Sequence, residues 1–178
     1  MSQITISLPA NALFEFAVGK AVEGKEEQLF GQYFPQVGPI VGSHGGRPVG
    51  GFQVLSYPAG SAEVAFGALF LWPSRAAYDA LHADEAFKAV VPLRDEAMSV
   101  LNSGNFFDTG AGAEVTLDPA QTYAIVMADH PIEGALLALP AATDTQGRDF
   151  AGKTLSILPA ETAPECDTRF EIRMNPPA

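Results

Sequence analysis

The sequence predicts an α+β fold, a β-α-β-β-α-β unit over residues 1–110 followed by a β-rich extension over residues 111–178. Three observations carry this expectation. Residues 13–18 alternate, with Phe14, Phe16 and Val18 on one face and Leu13, Glu15 and Ala17 on the other, which is the period of a strand. An apolar run ending in Phe70-Leu71-Trp72 stops at Pro73, and Ser74 at once offers an N-cap for a helix that turns Tyr78 and Leu81 inward. From Gly110 onward, Pro- and Gly-rich loops surround short apolar stretches.

The elements follow in order. After the first strand, Leu29, Phe30, Tyr33, Phe34, Val37, Ile40 and Val41 fall close to one helix face, which Pro35 and Pro39 kink or interrupt. Residues 42–51, with five glycines around His44 and Arg47, read as a mobile or sharply turned connection. Residues 52–57 and 64–72 read as strands of an antiparallel hairpin joined around Pro58-Ala59-Gly60-Ser61. A helix is expected over residues 74–101, with Asp84 a second cap where it breaks, and Phe106-Phe107 begin a fourth strand. This order is the ferredoxin-like plan. In the extension, residues 122–128, 154–158 and 169–174 read as strands that cover an open sheet edge or a barrel mouth.

Composition bounds the function. In 178 residues, apolar types make up 47% and charged types 17%, enough to build a buried core. A formal net charge of -11 argues against nucleic acid and anionic membrane as partners, since both are bound through clustered Lys and Arg. No apolar run approaches the length of a membrane span. No secretory leader is visible, and one cysteine, Cys166, leaves no internal disulfide, so a cytoplasmic location is expected.

The third strand is apolar on both faces, with Val64, Phe66, Ala68, Phe70 and Trp72 on one and Ala65, Leu69 and Leu71 on the other. Two helices cover only one face of a four-stranded sheet. The second must be covered by another copy of the chain or by the C-terminal extension, and a homodimer is expected as the commonest solution among homo-oligomers.

The chemistry-bearing residues fall into two sets. His44 and Arg47 sit in the Gly-rich turn, where an imidazole and a guanidinium can meet a carboxylate or phosphate; alternatively, His44 ends a helix and Arg47 pairs with an acidic group. Tyr33, Tyr57, Trp72, His82 and Arg94 can line a mostly apolar cavity between sheet and helices, or serve as core aromatics and solvent-facing groups. Asp129, His130 and Glu133 form a close acid-histidine cluster too small for a metal site, and no metal or cofactor is expected. Cys166, flanked by Glu165 and Asp167, is a poor thiolate. Serine-hydrolase, P-loop and dinucleotide fingerprints do not occur.

Tyr33 with Pro39, Ile40 and the His44-Gly45-Gly46-Arg47 turn, then Trp72 through Tyr78, Asp84 through Lys88, and Pro92-Leu93-Arg94, resemble in order and spacing the dimeric α+β barrel superfamily. That group includes antibiotic-biosynthesis monooxygenases and the EthD-like, NIPSNAP-like and stress-responsive barrels, and the resemblance spans residues 13–107. It implies a ferredoxin-like protomer holding a small apolar or aromatic organic ligand. It also implies, for an enzyme, cofactor-independent oxygenation or isomerisation of an activated ring, with His44 or His82 as proton acceptor and Arg47 or Arg94 steadying negative charge. The alternative is a non-catalytic ligand-binding or stress-associated protein. Superposing the strand-to-helix junctions puts Leu81 and Val91 where haem-degrading members carry a Trp and a His ligand, and neither can ligate iron.

Overall fold

A computed structural model describes residues 2–142, 150–166 and 168–177. Among the described residues the strands are β1 (Ile4–Leu8), β2 (Leu13–Ala21), β3 (Arg47–Ser56), β4 (Phe66–Trp72), β5 (Met98–Asp108), β6 (Ala113–Leu117), β7 (Tyr123–Ala128), β8 (Leu137–Pro140), β9 (Thr154–Pro159) and β10 (Arg169–Met174). The α-helices are α1 (Phe34–Ser43), α2 (Arg75–Ala83) and α3 (Glu85–Ala97). No helix among these residues is long and apolar enough to cross a membrane.

One antiparallel sheet runs in the order β5-β2-β4-β3-β10-β7-β9-β8. It is open, but it curls until its edge strands touch at one bridge, Phe107 to Ala141, where the Ala142 N–H donates to the Phe106 carbonyl at 3.0 Å. The ribbon of β1 and β6 sends Ile6, Leu8, Val115 and Leu117 into the same core.

The C-terminal strands thus continue the sheet. β10 pairs with β3, and Phe170 and Phe150 pack on Phe16 at ring-centroid distances of 5.3 and 5.9 Å. The face holding Phe14, Phe16, Leu69 and Leu71 is therefore covered by the chain's own extension, the second of the two solutions the sequence allows. The homodimer loses the open face that argued for it. The stretch around Ile132 and Ala135 packs over the outer face of β7 and β9, leaving Leu136 exposed.

Helices cover the other face of β5, β2 and β4. Ser74 caps α2 by accepting from Ala77 N, and Asp84 caps α3 by accepting from Ala86 N, so the break at Asp84 is as expected. The expected helix over 74–101 ends at Ala97, however. Met98 to Leu101 are strand, because they find partners on β2 from Gly19 to Ala21. The first helix opens as a π-helical turn, Gln28–Tyr33, in which Phe34 N donates to Leu29 O, five residues back. Pro35 comes next and has no N–H with which to continue an α-helical ladder from that turn.

The Gly-rich connection is shorter than expected, since β3 begins at Arg47. Gly45 has φ +81°, and a Cβ on Gly46 would lie 2.6 Å from the Trp72 ring, so these two glycines serve a tight turn tucked under an indole.

Candidate functional site

A cavity of about 430 Å³ lies between the helices and the outer face of the sheet. Its origin is a row of small residues. Register places Ala17 opposite Ala68 and Ala68 opposite Gly51, so β2, β4 and β3 present two methyl groups and a bare backbone side by side. The neighbouring rows carry Glu15 with Phe70, and Phe66. From the helices, Tyr33, Val37, Tyr78, Leu81 and Phe87 complete the wall, and Phe30, Phe34 and Leu101 form an exposed apolar rim.

Glu15 is the buried carboxylate of this wall, with 4% of its surface exposed. Trp72 Nε1 donates to its Oε1 at 2.9 Å, and Gly104 N donates to its Oε2 at 2.7 Å. The second bond comes from a β-bulge. Phe16 pairs with Asn105 and Val18 with Asn102, so Ser103 and Gly104 together oppose Ala17. Gly104, at φ +72°, turns its N–H from the ladder towards Glu15. The Asn105 amide then fills the gap by donating to the Phe16 carbonyl at 3.0 Å.

Tyr33 is buried beside Arg94. Burial raises its hydroxyl above the ordinary value and the guanidinium opposes this, so at neutral pH it keeps its proton. Arg94 also pairs with Asp95 at 2.8 Å. His82 lies 2.9 Å from the Tyr78 carbonyl through Nδ1; a carbonyl only accepts, so the proton is assigned to Nδ1 and Nε2 is the acceptor of the neutral ring. The imidazole also lies tilted against Tyr78 at 4.2 Å and edge-on to Phe87 at 4.9 Å.

Of the residues singled out in the sequence, Tyr33, Trp72, His82 and Arg94 line this cavity together. The other three lie elsewhere. His44 ends α1, and its Nε2 lies 2.7 Å from Asp84 Oδ2, tying that helix to the cap of α3. Hydrogen bonds from His44 and Ala86 N hold the Asp84 carboxyl below the usual carboxylate range. Arg47 is exposed at the start of β3 and donates to the Ser7 carbonyl at 3.4 Å, and Tyr57 is exposed just beyond the end of that strand.

The acid-histidine cluster does not assemble either. Asp129 pairs with Lys153, which lowers its carboxyl pKa, and among the described residues no three His, Cys, Asp or Glu side chains converge as metal ligands. Cys166 is exposed, and its neighbour Asp167 lies outside the described residues. Sequence reasoning passed over Glu15. The available signal was a single acid on a strand face otherwise made of Leu13 and Ala17.

No protein-family model matches the chain, and no curated protein matches it. Among solved structures, it is similar to the RPA0582 protein of unknown function from Rhodopseudomonas palustris. The alignment has 17% identity and a TM-score of 0.45, covering 54% of this chain and 81% of that one. A structure of the methylated RPA0582 protein aligns at 16% identity and a TM-score of 0.46, covering 64% and 87%.

Proposed function

We propose that this protein binds a small apolar or aromatic organic molecule in the cavity between its helices and its sheet. The supporting observation is the cavity itself: about 430 Å³, walled mainly by aromatic and small residues, with a few polar groups set among them. The strand order β5-β2-β4-β3, antiparallel throughout, with helices on one face, supports reading the first half as a ferredoxin-like unit of the α+β barrel type. In this reading one chain supplies from its own C-terminal strands the cover that a second protomer gives in the dimeric barrels, and a homodimer is not needed to build the pocket. The lone cysteine and acidic composition fit a cytoplasmic setting.

A catalytic reading has narrower support. With Nδ1 directed at the Tyr78 carbonyl, His82 leaves Nε2 as its other ring nitrogen, and Arg94 with Tyr33 presents donors, in the same cavity. If turnover of an activated ring compound occurs, proton acceptance falls to His82 and charge stabilisation to Arg94; His44 and Arg47 lie outside the cavity.

Trp72, the chain's single tryptophan, is in the wall and reports binding directly. Titration with fragment-sized aromatic compounds is expected to change its emission saturably, and Ala68→Leu, which raises the floor, is expected to weaken binding by about tenfold or more while leaving the circular dichroism spectrum intact. An unresponsive Trp72 across such a series, or full binding by Ala68→Leu, rules the cavity out as the site.

A further inference from the structure

We infer that the cavity holds a narrow, uncharged molecule lying across the strands, with a hydroxyl, carbonyl or amide at each end, and that Ser103 and Asn175 are its two end contacts. This rests on the proposal that the cavity is a binding site. Asn175 N donates to the Gly51 carbonyl at 2.9 Å, so the chain just beyond β10 carries the small-residue row one position further. The row then reads Ser103, Ala17, Ala68, Gly51, Asn175, and all of these line the cavity. It is bare in the middle and polar at both ends. Phe66 and Phe70 stand on β4 to either side of Ala68, on the same face. An extended molecule seated on Ala68 is therefore blocked along the strand and has room only across it.

Both ends are shaped for contact. A Cβ on Gly51 would lie 3.0 Å from Asn175 Nδ2, so the amide lies over the glycine at the edge of the floor. Gly51 is not among the glycines with positive φ, and what its missing side chain supplies is room for this amide. At the other end, the bulge in β5 sets Ser103 against the cavity. Among the described residues, no hydrogen bond or ion pair engages either side chain. A hydroxyl and an amide each donate and accept, so they suit neutral polar groups. Asn175 belongs to the C-terminal extension, which thereby gives the cavity a polar end as well as covering the opposite sheet face.

From Ser103 to the amide over Gly51 the row crosses β2 and β4 to reach β3, a span of about 14 Å at the usual strand spacing. Naphthalene-2,6-diol, with oxygens on the order of 8 Å apart and a hydrogen bond of about 2.8 Å at each, matches that span. Naphthalene-2,3-diol has the same composition and ring frame but carries both hydroxyls at one end. Calorimetric titration of the full chain with each isomer tests the pose. The 2,6-isomer is expected to bind about tenfold tighter than the 2,3-isomer. Ser103→Ala and Asn175→Ala are each expected to weaken its binding by about three- to tenfold. Asn175 is exposed, so its substitution leaves the core untouched, and the ranking of the isomers in the unmodified chain needs no variant. Equal or tighter binding of the 2,3-isomer, or a 2,6-isomer affinity unmoved by either substitution, overturns the end contacts and leaves the cavity reading standing. A failure of both isomers to bind overturns both.

Discussion

Replacing Phe170 by alanine tests whether the C-terminal strands are part of the core or a detachable cover. Phe170 is 4% exposed on β10, and its ring meets Phe16 of β2 at 5.3 Å and Phe150 at 6.2 Å. Truncating a core Phe costs about 3–5 kcal/mol, of which each aromatic pair lost accounts for roughly 0.5–1.5 kcal/mol. Domains are stable by about 5–15 kcal/mol, so this one change removes a large share. Urea unfolding followed by both far-ultraviolet circular dichroism and Trp72 emission reads it. Trp72 lies on the opposite side of the sheet from Phe170, against the helices. Both signals are expected to shift together to lower urea, because strand pairing and shared side chains join the halves into one cooperative unit. A cost below about 1 kcal/mol, or a circular dichroism transition that moves while Trp72 stays fixed, would show that the extension folds apart from the first half.

Four further outcomes are expected. A chain ending at Gly110 exposes Phe14, Phe16, Leu69 and Leu71 together with the free edge of β3, and should aggregate when its solubility is compared with the full chain. Light scattering of the full chain should give a mass near 18.7 kDa, since its inner sheet face is already covered. Gly38 lies inside α1 on the cavity wall with open space where a Cβ would be; Gly38→Leu should raise stability by about 0.5–1 kcal/mol in urea unfolding and weaken probe binding by narrowing the mouth. The lowered Asp84 pKa stabilises the fold above the ordinary carboxylate value of 3.8, and that contribution is lost as pH falls through the lower folded value. Asp84→Asn should therefore melt below the unmodified chain at pH 5–7, with the gap closing below about pH 4.

Much of the framework was legible because period and punctuation agreed. The alternation in β2, the Pro73-Ser74 junction, the cap at Asp84 and the apolar runs of β7, β9 and β10 each carried a local signal. Met98 to Leu101 did not, since so short an apolar run fits either period and only pairing with β2 decides it. β1 and β6 are five residues each, and the alternation of Ile4, Ile6 and Leu8 gains meaning only from the partner ribbon. The π-helical turn over Gln28–Tyr33 differs from an α-helix only in which carbonyl each N–H reaches, and its spacing of apolar residues does not record that choice.

Tyr33, Trp72, His82 and Arg94, singled out by their chemistry, come to line one cavity because β4 and the helices lie close to where period and punctuation put them. His44 and Arg47 drew attention through their glycines, yet one of those glycines is there to admit the ring of Trp72. Glu15 escaped notice because its importance comes from three separate strands: its own, the one bearing Trp72, and the bulged one bearing Gly104.

Native mass spectrometry of the freshly purified full chain, before and after incubation with benzyltrimethylammonium, benzyl alcohol and benzoate, probes the binding cavity most directly. A chain that carries a releasable small organic molecule, or takes up one equivalent of any of the three probes, is the expected result. A bare chain that takes up none of the three would mean that the space over Ala17, Ala68 and Gly51 is not a binding site.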